Sequence, residues 1–156
     1  MISDSFMHRK DLAQLILNRL TLDKARIKTQ YESSRHQIGY FFIDDLLPPE
    51  LTTYINSQFP SKDEMVLKKS IKENKHIAVQ MNQYAPILEE LIYAFQDERI
   101  VKLIKNICSI EDLHPDADLY AGGLSSMEQH QFLNPHLDNS HDKDRNNWRV
   151  LNLMFY

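Results

Sequence analysis

The triplet His136-Leu137-Asp138 brings together two residue types that bind metal ions. In an extended strand the side chains at positions i and i+2 point to the same face. The imidazole of His136 and the carboxylate of Asp138 can therefore converge on one ion. Two imidazoles and one carboxylate on one side of an iron(II) ion leave its other positions open for substrate and oxygen. The triplet predicts two of the three ligands of such a site.

The spacing by itself has low specificity. With 7 His and thirteen Asp in 156 residues, about 0.6 His-x-Asp triplets are expected by chance, and two are present. The second, His114-Pro115-Asp116, contains a proline and lacks flanking apolar alternation, which is typical of a turn. We interpret it as the chance match. For any bare triplet, a histidine and an aspartate satisfied by backbone or water is the alternative interpretation.

The sequence around the first triplet is more specific. Residues 131–140 are predicted to run from a strand into a polar loop at 140–147, which returns as a strand at 148–156. This arrangement resembles the Fe(II)- and 2-oxoglutarate-dependent dioxygenases, in particular their prolyl 4-hydroxylase-like branch. In that family a His-x-Asp motif at a strand end is followed by a loop and a strand of the pattern Arg-x-Leu-x-x-x-x-Tyr.

Other parts of the chain extend this resemblance. Arg149, Leu151 and Tyr156 match the strand pattern, and residues 40–51 resemble the family's first strand and helix, which read as aromatic-apolar, Asp, apolar and Pro. The resemblance covers roughly residues 38–156 and is specific only toward the C-terminus.

The resemblance implies an oxygenase. His136 and Asp138 become ligands of Fe(II) on one strand of a double-stranded β-helix, or jelly roll, with 2-oxoglutarate bound to the metal and O₂ as co-substrate. Tyr120, Asn152 and Tyr156 would lie on strands that line the pocket and would contact 2-oxoglutarate. Core aromatics and a strand amide are the alternative interpretation of these three residues.

The family has two further functional positions. Its third ligand is a histidine on a later strand, followed by an Arg or Lys that pairs with the far carboxylate of 2-oxoglutarate. This sequence stops at Tyr156, before either position. The resemblance thus implies a fold truncated within its β core. Two hypotheses stay open: an oxygenase that continues past this sequence, and a catalytically inactive remnant or interaction module with the oxygenase fold.

Two other histidines lie near the triplet in sequence. His130 shares the parity of His136 but would lie about 20 Å away along a strand that rises ~3.4 Å per residue. His141 lies in the predicted loop and can fold back, which would give a zinc site with His136 and Asp138 as an alternative. For Arg149 an ion pair with Asp138 and a surface position are both open.

Apolar periodicity predicts the helices that precede these strands. Proline is tolerated in the first turn of a helix, and aspartate is a common capping residue, so both mark where helices begin. A helix or a helix pair is predicted over about 8–31, with Ser5 as a start signal. Further helices are predicted from Pro48-Pro49-Glu50 to near Phe59-Pro60, from Pro86, and from a cap at Asp97 to near Cys108.

Short runs of β-branched and aromatic residues predict the strands. They lie at 38–43, 118–121, 125–133 and 148–156, with Trp148 anchoring the last strand in the core. The lysine-rich stretch 61–76 is interpreted as a solvated strand and loop. The alternative is that its lysines bind an anionic substrate.

Helices followed by strands predict an α+β protein. Combined with the resemblance, this becomes N-terminal helices packed on a jelly roll that is truncated within its β core. At 156 residues the chain is expected to form a single domain over 1–156, of which about 1–35 is a helical extension outside the resemblance.

Charge and apolar patterning limit the classes of partner that we expect for this chain. The net charge of −4 provides no electrostatic footprint for nucleic acid, and no apolar run reaches the ~20 residues of a membrane span. One cysteine and no signal-peptide pattern at the N-terminus favour a cytoplasmic location. The expected partners are a small-molecule or peptide substrate, and a second copy of the chain that covers the exposed C-terminal strand.

Overall fold

A computed structural model describes residues 7–120 and 122–156. These residues form five α-helices and one four-stranded antiparallel sheet, so the predicted α+β class is confirmed. The helices lie in one compact unit, the helical unit, made of the residues as far as Phe59 together with Tyr84–Pro115. The strands lie in a second, the sheet unit, made of Pro60–Gln83 and Asp116–Tyr156. The single domain expected over 1–156 stays a prediction.

The N-terminal helical stretch is a pair of helices, α1 (Arg9–Leu22) and α2 (Lys24–Ser34), joined at Asp23. The Asp23 carboxylate lies 2.7 Å from the guanidinium of Arg26 and 2.9 Å from that of Arg19. Hydrogen bonds from Arg26 and then Arg19 lower the pKa of Asp23. The carboxylate therefore ties the last turn of α1 to the first turn of α2.

The other helices begin and end close to their predicted positions: α3 (Pro49–Ser57), α4 (Pro86–Ala94) and α5 (Glu98–Cys108). Pro49 and Pro86 occupy first-turn positions, where the missing N–H has no helical acceptor in any case. The Asp97 side chain accepts a hydrogen bond from the Arg99 backbone N–H, which is the predicted cap. Ser5, the predicted start of α1, lies outside the described residues.

The helical unit has a continuous apolar core. α1 packs against α4 and α5, and α2 packs against α5. The largest fully buried side chains come from these helices: Leu12, Ile16, Ile27, Leu88, Ile100, Ile107 and Cys108. No helix in the described part of the chain combines the length and the hydropathy needed to span a membrane.

Residues 38–43 do not form the predicted strand. Their backbone groups bond to helical side chains instead. The Tyr40 N–H donates to Ser34 Oγ at 2.9 Å, and the Phe42 N–H donates to Gln30 Oε1 at 3.2 Å. A strand needs a neighbouring strand for its hydrogen bonds, and all strands of the described residues lie in the sheet unit. The composition of this segment therefore misled the prediction.

The sheet is built around one hairpin. β1 (Val66–Lys69) pairs antiparallel with β2 (Glu73–Ala78). β3 (Leu124–Ser126) pairs with the C-terminal half of β2, and β4 (Phe132–Leu133) pairs with its first two residues. All four residues of β1 are exposed. The lysine-rich stretch is thus solvated on its first strand, as predicted, but it forms a paired hairpin rather than a strand and a loop.

The predicted strand at 125–133 is interrupted. A turn closed by the Gln131 N–H and the Glu128 carbonyl at 3.0 Å separates β3 from β4. His130, in this turn, has a positive φ of 69°, a conformation that non-glycine residues adopt mainly in turns. The two pieces can therefore pair with different ends of the same strand.

Two further predicted strands are wrong. Residues 118–120 lie in and beside a turn, and Ala121 lies outside the described residues. Residues 149–156 have no regular secondary structure, and an isolated bridge between His141 and Trp148 is the only ladder contact found for 148–156 among the described residues. Trp148 is 70% exposed, so it does not anchor a strand in a core. Apolar alternation in a segment does not ensure that a neighbouring strand is present to pair with it.

Candidate metal centre

His136 and Asp138 lie in an irregular segment directly after β4, not on a strand as the resemblance implied. Asn134 fixes the start of this segment. Its backbone N–H donates to the Lys72 carbonyl at 2.9 Å, and its side-chain amide donates to the Ile71 carbonyl at 2.9 Å. The segment is therefore anchored to the turn between β1 and β2.

The two predicted ligands converge. The Nε2 atom of His136 lies 3.2 Å from the Oδ1 atom of Asp138. The side chains are 31% and 49% exposed, respectively, so both atoms belong to a partly open surface site. The i and i+2 spacing brought the side chains together although the backbone is not part of a sheet.

The hydrogen bond made by the second ring nitrogen of His136 shows which ring nitrogen is free to bind a metal ion. Its Nδ1 lies 2.7 Å from the backbone carbonyl of Asn134. A carbonyl can only accept a hydrogen bond, so Nδ1 carries the hydrogen. In the neutral ring Nε2 then presents its lone pair toward the Asp138 carboxylate. Two acceptors at this distance repel each other unless a proton or a cation lies between them.

The other oxygen of the Asp138 carboxylate is also held. The side-chain amide of Asn152 donates to Asp138 Oδ2 at 3.2 Å. This bond orients the carboxylate so that Oδ1 faces His136. Asn152, predicted to contact 2-oxoglutarate, thus contacts the predicted metal ligand.

These donors fit part of a divalent metal site. An imidazole nitrogen and a carboxylate oxygen suit Fe(II) and Zn(II). Neighbouring ligands of an octahedral ion at about 2.1 Å lie about 3 Å apart, close to the 3.2 Å between His136 Nε2 and Asp138 Oδ1. Metal-bound histidines usually donate their other N–H to a carbonyl or carboxylate, which matches the contact with Asn134. The pair fits as two ligands of one ion.

A third ligand does not join them. Across residues 7–120 and 122–156, no three His, Cys, Asp or Glu side chains are grouped so that they could hold a metal ion. The His141 ring lies over Trp148, with ring centroids 4.0 Å apart, and its Nδ1 is 2.8 Å from Ser140 Oγ. His130 is in the turn between β3 and β4.

The two predicted tyrosines make their contacts elsewhere. Tyr120 is in a turn, where its N–H donates to Asp116 Oδ2 at 3.0 Å, and Tyr156 is 96% exposed, with its hydroxyl 3.5 Å from Met154 Sδ. Neither these two residues nor Asn152 is on a strand, in contrast to the prediction. The Arg149 backbone N–H donates to the Ser140 carbonyl at 2.8 Å.

The second His-x-Asp triplet behaves as a chance match. His114 Nε2 lies 2.7 Å from Asp112 Oδ1, an acid outside the triplet. Both His114 and Asp112 are highly exposed. His114 is therefore a suitable control for substitutions at His136.

Charged residues of the hairpin adjoin the site. Glu73, the one acid within 66–78, pairs with Leu133, three residues before His136, and was not predicted as a site residue. The pKa of Glu73 is lowered, first by a hydrogen bond from Lys75 and further by the charges of Lys75, Lys68 and His136. Glu73 Oε2 lies 3.1 Å from Lys75 Nζ. The available signal was the spacing of Glu73 and Lys75, which places both side chains on one face of β2.

The geometry described above can hold a divalent cation between an oriented imidazole and an oriented carboxylate. Comparisons of the chain with protein-family models, with curated proteins and with solved structures found no match.

Proposed function

We propose that the sheet unit carries the metal-binding part of an Fe(II)- and 2-oxoglutarate-dependent oxygenase, with His136 and Asp138 as two of the iron ligands. The observation that carries the proposal is the 3.2 Å approach of His136 Nε2 to Asp138 Oδ1, with both side chains oriented by further hydrogen bonds. The motif shared with the prolyl 4-hydroxylase-like branch supports iron over other metals.

The chain's own residues have separate roles in this proposal. His136 and Asp138 bind the metal, the Asn134 carbonyl keeps the Nε2 lone pair of His136 available, and Asn152 holds the Asp138 carboxylate. Iron and 2-oxoglutarate, when bound, supply O₂ activation for hydroxylation of an unactivated C–H bond. Tyr120 and Tyr156 are proposed contacts of 2-oxoglutarate on the resemblance alone.

The assignment of the fold as a jelly roll is part of the same proposal. A jelly roll consists of antiparallel strands, and the antiparallel pairing of β2 with β1, β3 and β4 supports it. The substrate is a small molecule or a peptide, because the net charge of −4 does not favour nucleic acid.

A second candidate function is a catalytically inactive module with an oxygenase-like fold. Two observations favour it. No third metal-binding side chain joins His136 and Asp138 among the described residues. Several apolar side chains near the C-terminus are exposed, among them Trp148, Leu153 and Met154, and exposed apolar groups that form a patch commonly bind another protein. A second copy of the chain is the partner proposed for them.

Anaerobic titration with Fe(II) and 2-oxoglutarate separates the two functions. The oxygenase proposal expects the weak visible absorption band of the iron chelate, lost in His136→Ala and retained in His114→Ala. No band at millimolar 2-oxoglutarate, in a protein whose circular dichroism shows it folded, would favour the inactive module. Metal analysis of the purified protein then tests zinc, which His141→Ala should release if that histidine completes the site.

A further inference from the structure

Two lysines face each other across the β1–β2 hairpin. Lys68 and Lys75 are directly opposite in the antiparallel register. Residues in such a pair point to the same face, with Cβ atoms about 4.5–5.5 Å apart, and like charges placed this way destabilise the pairing. A negative group is needed to balance them.

Glu73 supplies that group from within the hairpin. It precedes Lys75 by two residues and therefore shares its face of β2. One carboxylate oxygen lies 3.1 Å from Lys75 Nζ and the other lies 3.9 Å from Lys68 Nζ. A single carboxylate thus lies between both ammonium groups, with one oxygen toward each.

The charges of this cluster do not cancel. Two ammonium groups and one carboxylate leave one positive charge. The Lys75 side chain is only 17% exposed and that of Glu73 only 22%, so solvent screens their interactions less than at an open surface. Glu73 pairs with Leu133 across the sheet, and His136 follows Leu133 by three residues, so the cluster adjoins the candidate metal centre.

We propose that Lys68 and Lys75 form a binding site for an anionic oxygen group, a carboxylate or a phosphate, on the small molecule that the neighbouring centre holds. In this proposal the Glu73 carboxylate moves aside, and the anion of the ligand takes its place between the two ammonium groups. The identity of the molecule as a substrate rests on the proposed function, whereas anion binding by the lysines does not.

The exchange is energetically modest. An ion pair at a partly exposed site is weak, so a ligand anion can displace Glu73 without disrupting the hairpin. A molecule with an anion at one end and a metal-binding group at the other would contact both sites. The lysines then select for charged over neutral molecules.

Binding can be measured on the metal-free full chain, so that a failure of the metal centre does not affect the result. Glutarate, inorganic phosphate and the neutral analogue glutaramide are titrated into ¹⁵N-labelled protein. We expect saturable shifts of the β1 and β2 amides with glutarate or phosphate and none with glutaramide. A stronger response to one of the two anions identifies the group that the site prefers.

Substitutions sharpen the test. Lys75→Gln and Lys68→Gln should each weaken anion binding, whereas Glu73→Gln removes the internal competitor and should strengthen it by up to about five-fold. Lys28→Gln, which removes an exposed lysine 3.7 Å from Glu32 in the helical unit, should have no effect.

Three results would overturn the proposal. These are no saturable shift with either anion up to about 20 mM, an equal response to glutaramide, and unchanged or weaker binding in a folded Glu73→Gln protein. If Glu73 serves only to neutralise the hairpin, its substitution lowers stability without any gain in affinity. If the protein fails to bind metal, these results are unaffected, because all of the measurements use metal-free protein.

Discussion

At the scale of single residues, the candidate centre depends on side chains that do not themselves reach the metal position. The Asn134 carbonyl directs one ring nitrogen of His136, and Asn152 holds one carboxylate oxygen of Asp138. Such outer contacts fix the orientation of a ligand before the metal arrives. Their removal should weaken metal binding without removing a ligand.

Asn152→Ala tests this role. Because Asp138 would lose the bond that orients Oδ1, we expect Fe(II) affinity to fall by about ten-fold, measured by anaerobic titration. The matched control is Asn147→Ala, which removes a similar amide bond to Asp142, of 2.7 Å, in the same unit. Equal losses of affinity in the two variants would contradict a specific role for Asn152.

The burial of Cys108 predicts how the free energy of unfolding depends on pH. The thiol is buried, and desolvation raises its pKa from 9.0 to about 11 in spite of a hydrogen bond with Tyr31. Because the unfolded chain ionises this thiol first, its contribution to stability is complete below about pH 9 and is lost as the pH rises toward 11.

Urea unfolding at pH 8 and about pH 10.5 measures the effect. Between these pH values the wild type should lose about 2 kcal/mol more of its unfolding free energy than Cys108→Ala. In the same range the native thiol should react slowly with a thiol reagent. Rapid labelling of the folded protein at pH 8 would contradict the burial argument.

At the scale of elements, residues 38–43 show how a strand-like sequence is accommodated among helices. Ser34 Oγ accepts the Tyr40 N–H and also lies 3.0 Å from the Tyr40 carbonyl. The hydroxyl also lies 2.8 Å from the Gln30 carbonyl of its own helix, and it accepts the Tyr40 N–H in the place of a neighbouring strand. Removing it leaves backbone groups of Tyr40 without this partner.

Ser34→Ala is therefore expected to lower the free energy of unfolding by about 1 kcal/mol, measured by urea denaturation. Ser33→Ala is the control, because the Ser33 hydroxyl bonds within its own helix, to the Gln30 carbonyl at 3.0 Å. This substitution should cost less than about 0.5 kcal/mol. Similar losses in both variants would mean that the bond to Tyr40 adds no stability.

At the scale of the whole molecule, the apolar core is distributed unevenly. Of the eighteen buried hydrophobic residues in the described part of the chain, fifteen lie in the helical unit, and the sheet unit has Met65, Ala78 and Met81. Regions with few buried apolar contacts open at lower free energy. The candidate centre thus lies in the unit that we expect to open at the lower free energy.

Hydrogen exchange with and without Fe(II), under anaerobic conditions, tests this imbalance. A ligand at about a hundred times its dissociation constant stabilises its site by about 2.7 kcal/mol, so exchange should slow in residues 132–140 and stay unchanged in α1, α4 and α5. His136→Ala should abolish the change. Protection that spreads equally over both units would contradict the expected difference in stability.

Several features of this protein were determined by local sequence. Apolar periodicity, the prolines at 49 and 86 and the cap at Asp97 predicted the helices, because helical hydrogen bonds form between residues four apart. The approach of His136 to Asp138 was also predictable, since two residues separated by one position share a face in extended chain.

The tertiary structure decided what depends on distant partners. Residues 38–43 and 148–156 have strand-like composition but no neighbouring strand among the described residues, and the stretch 125–133 divides at His130. Asn134 and Asn152 became the outer partners of the site only after folding. Strand pairing and the hydrogen bonds that orient the two ligands join residues far apart in sequence. The composition of a segment does not indicate which other segment it will contact.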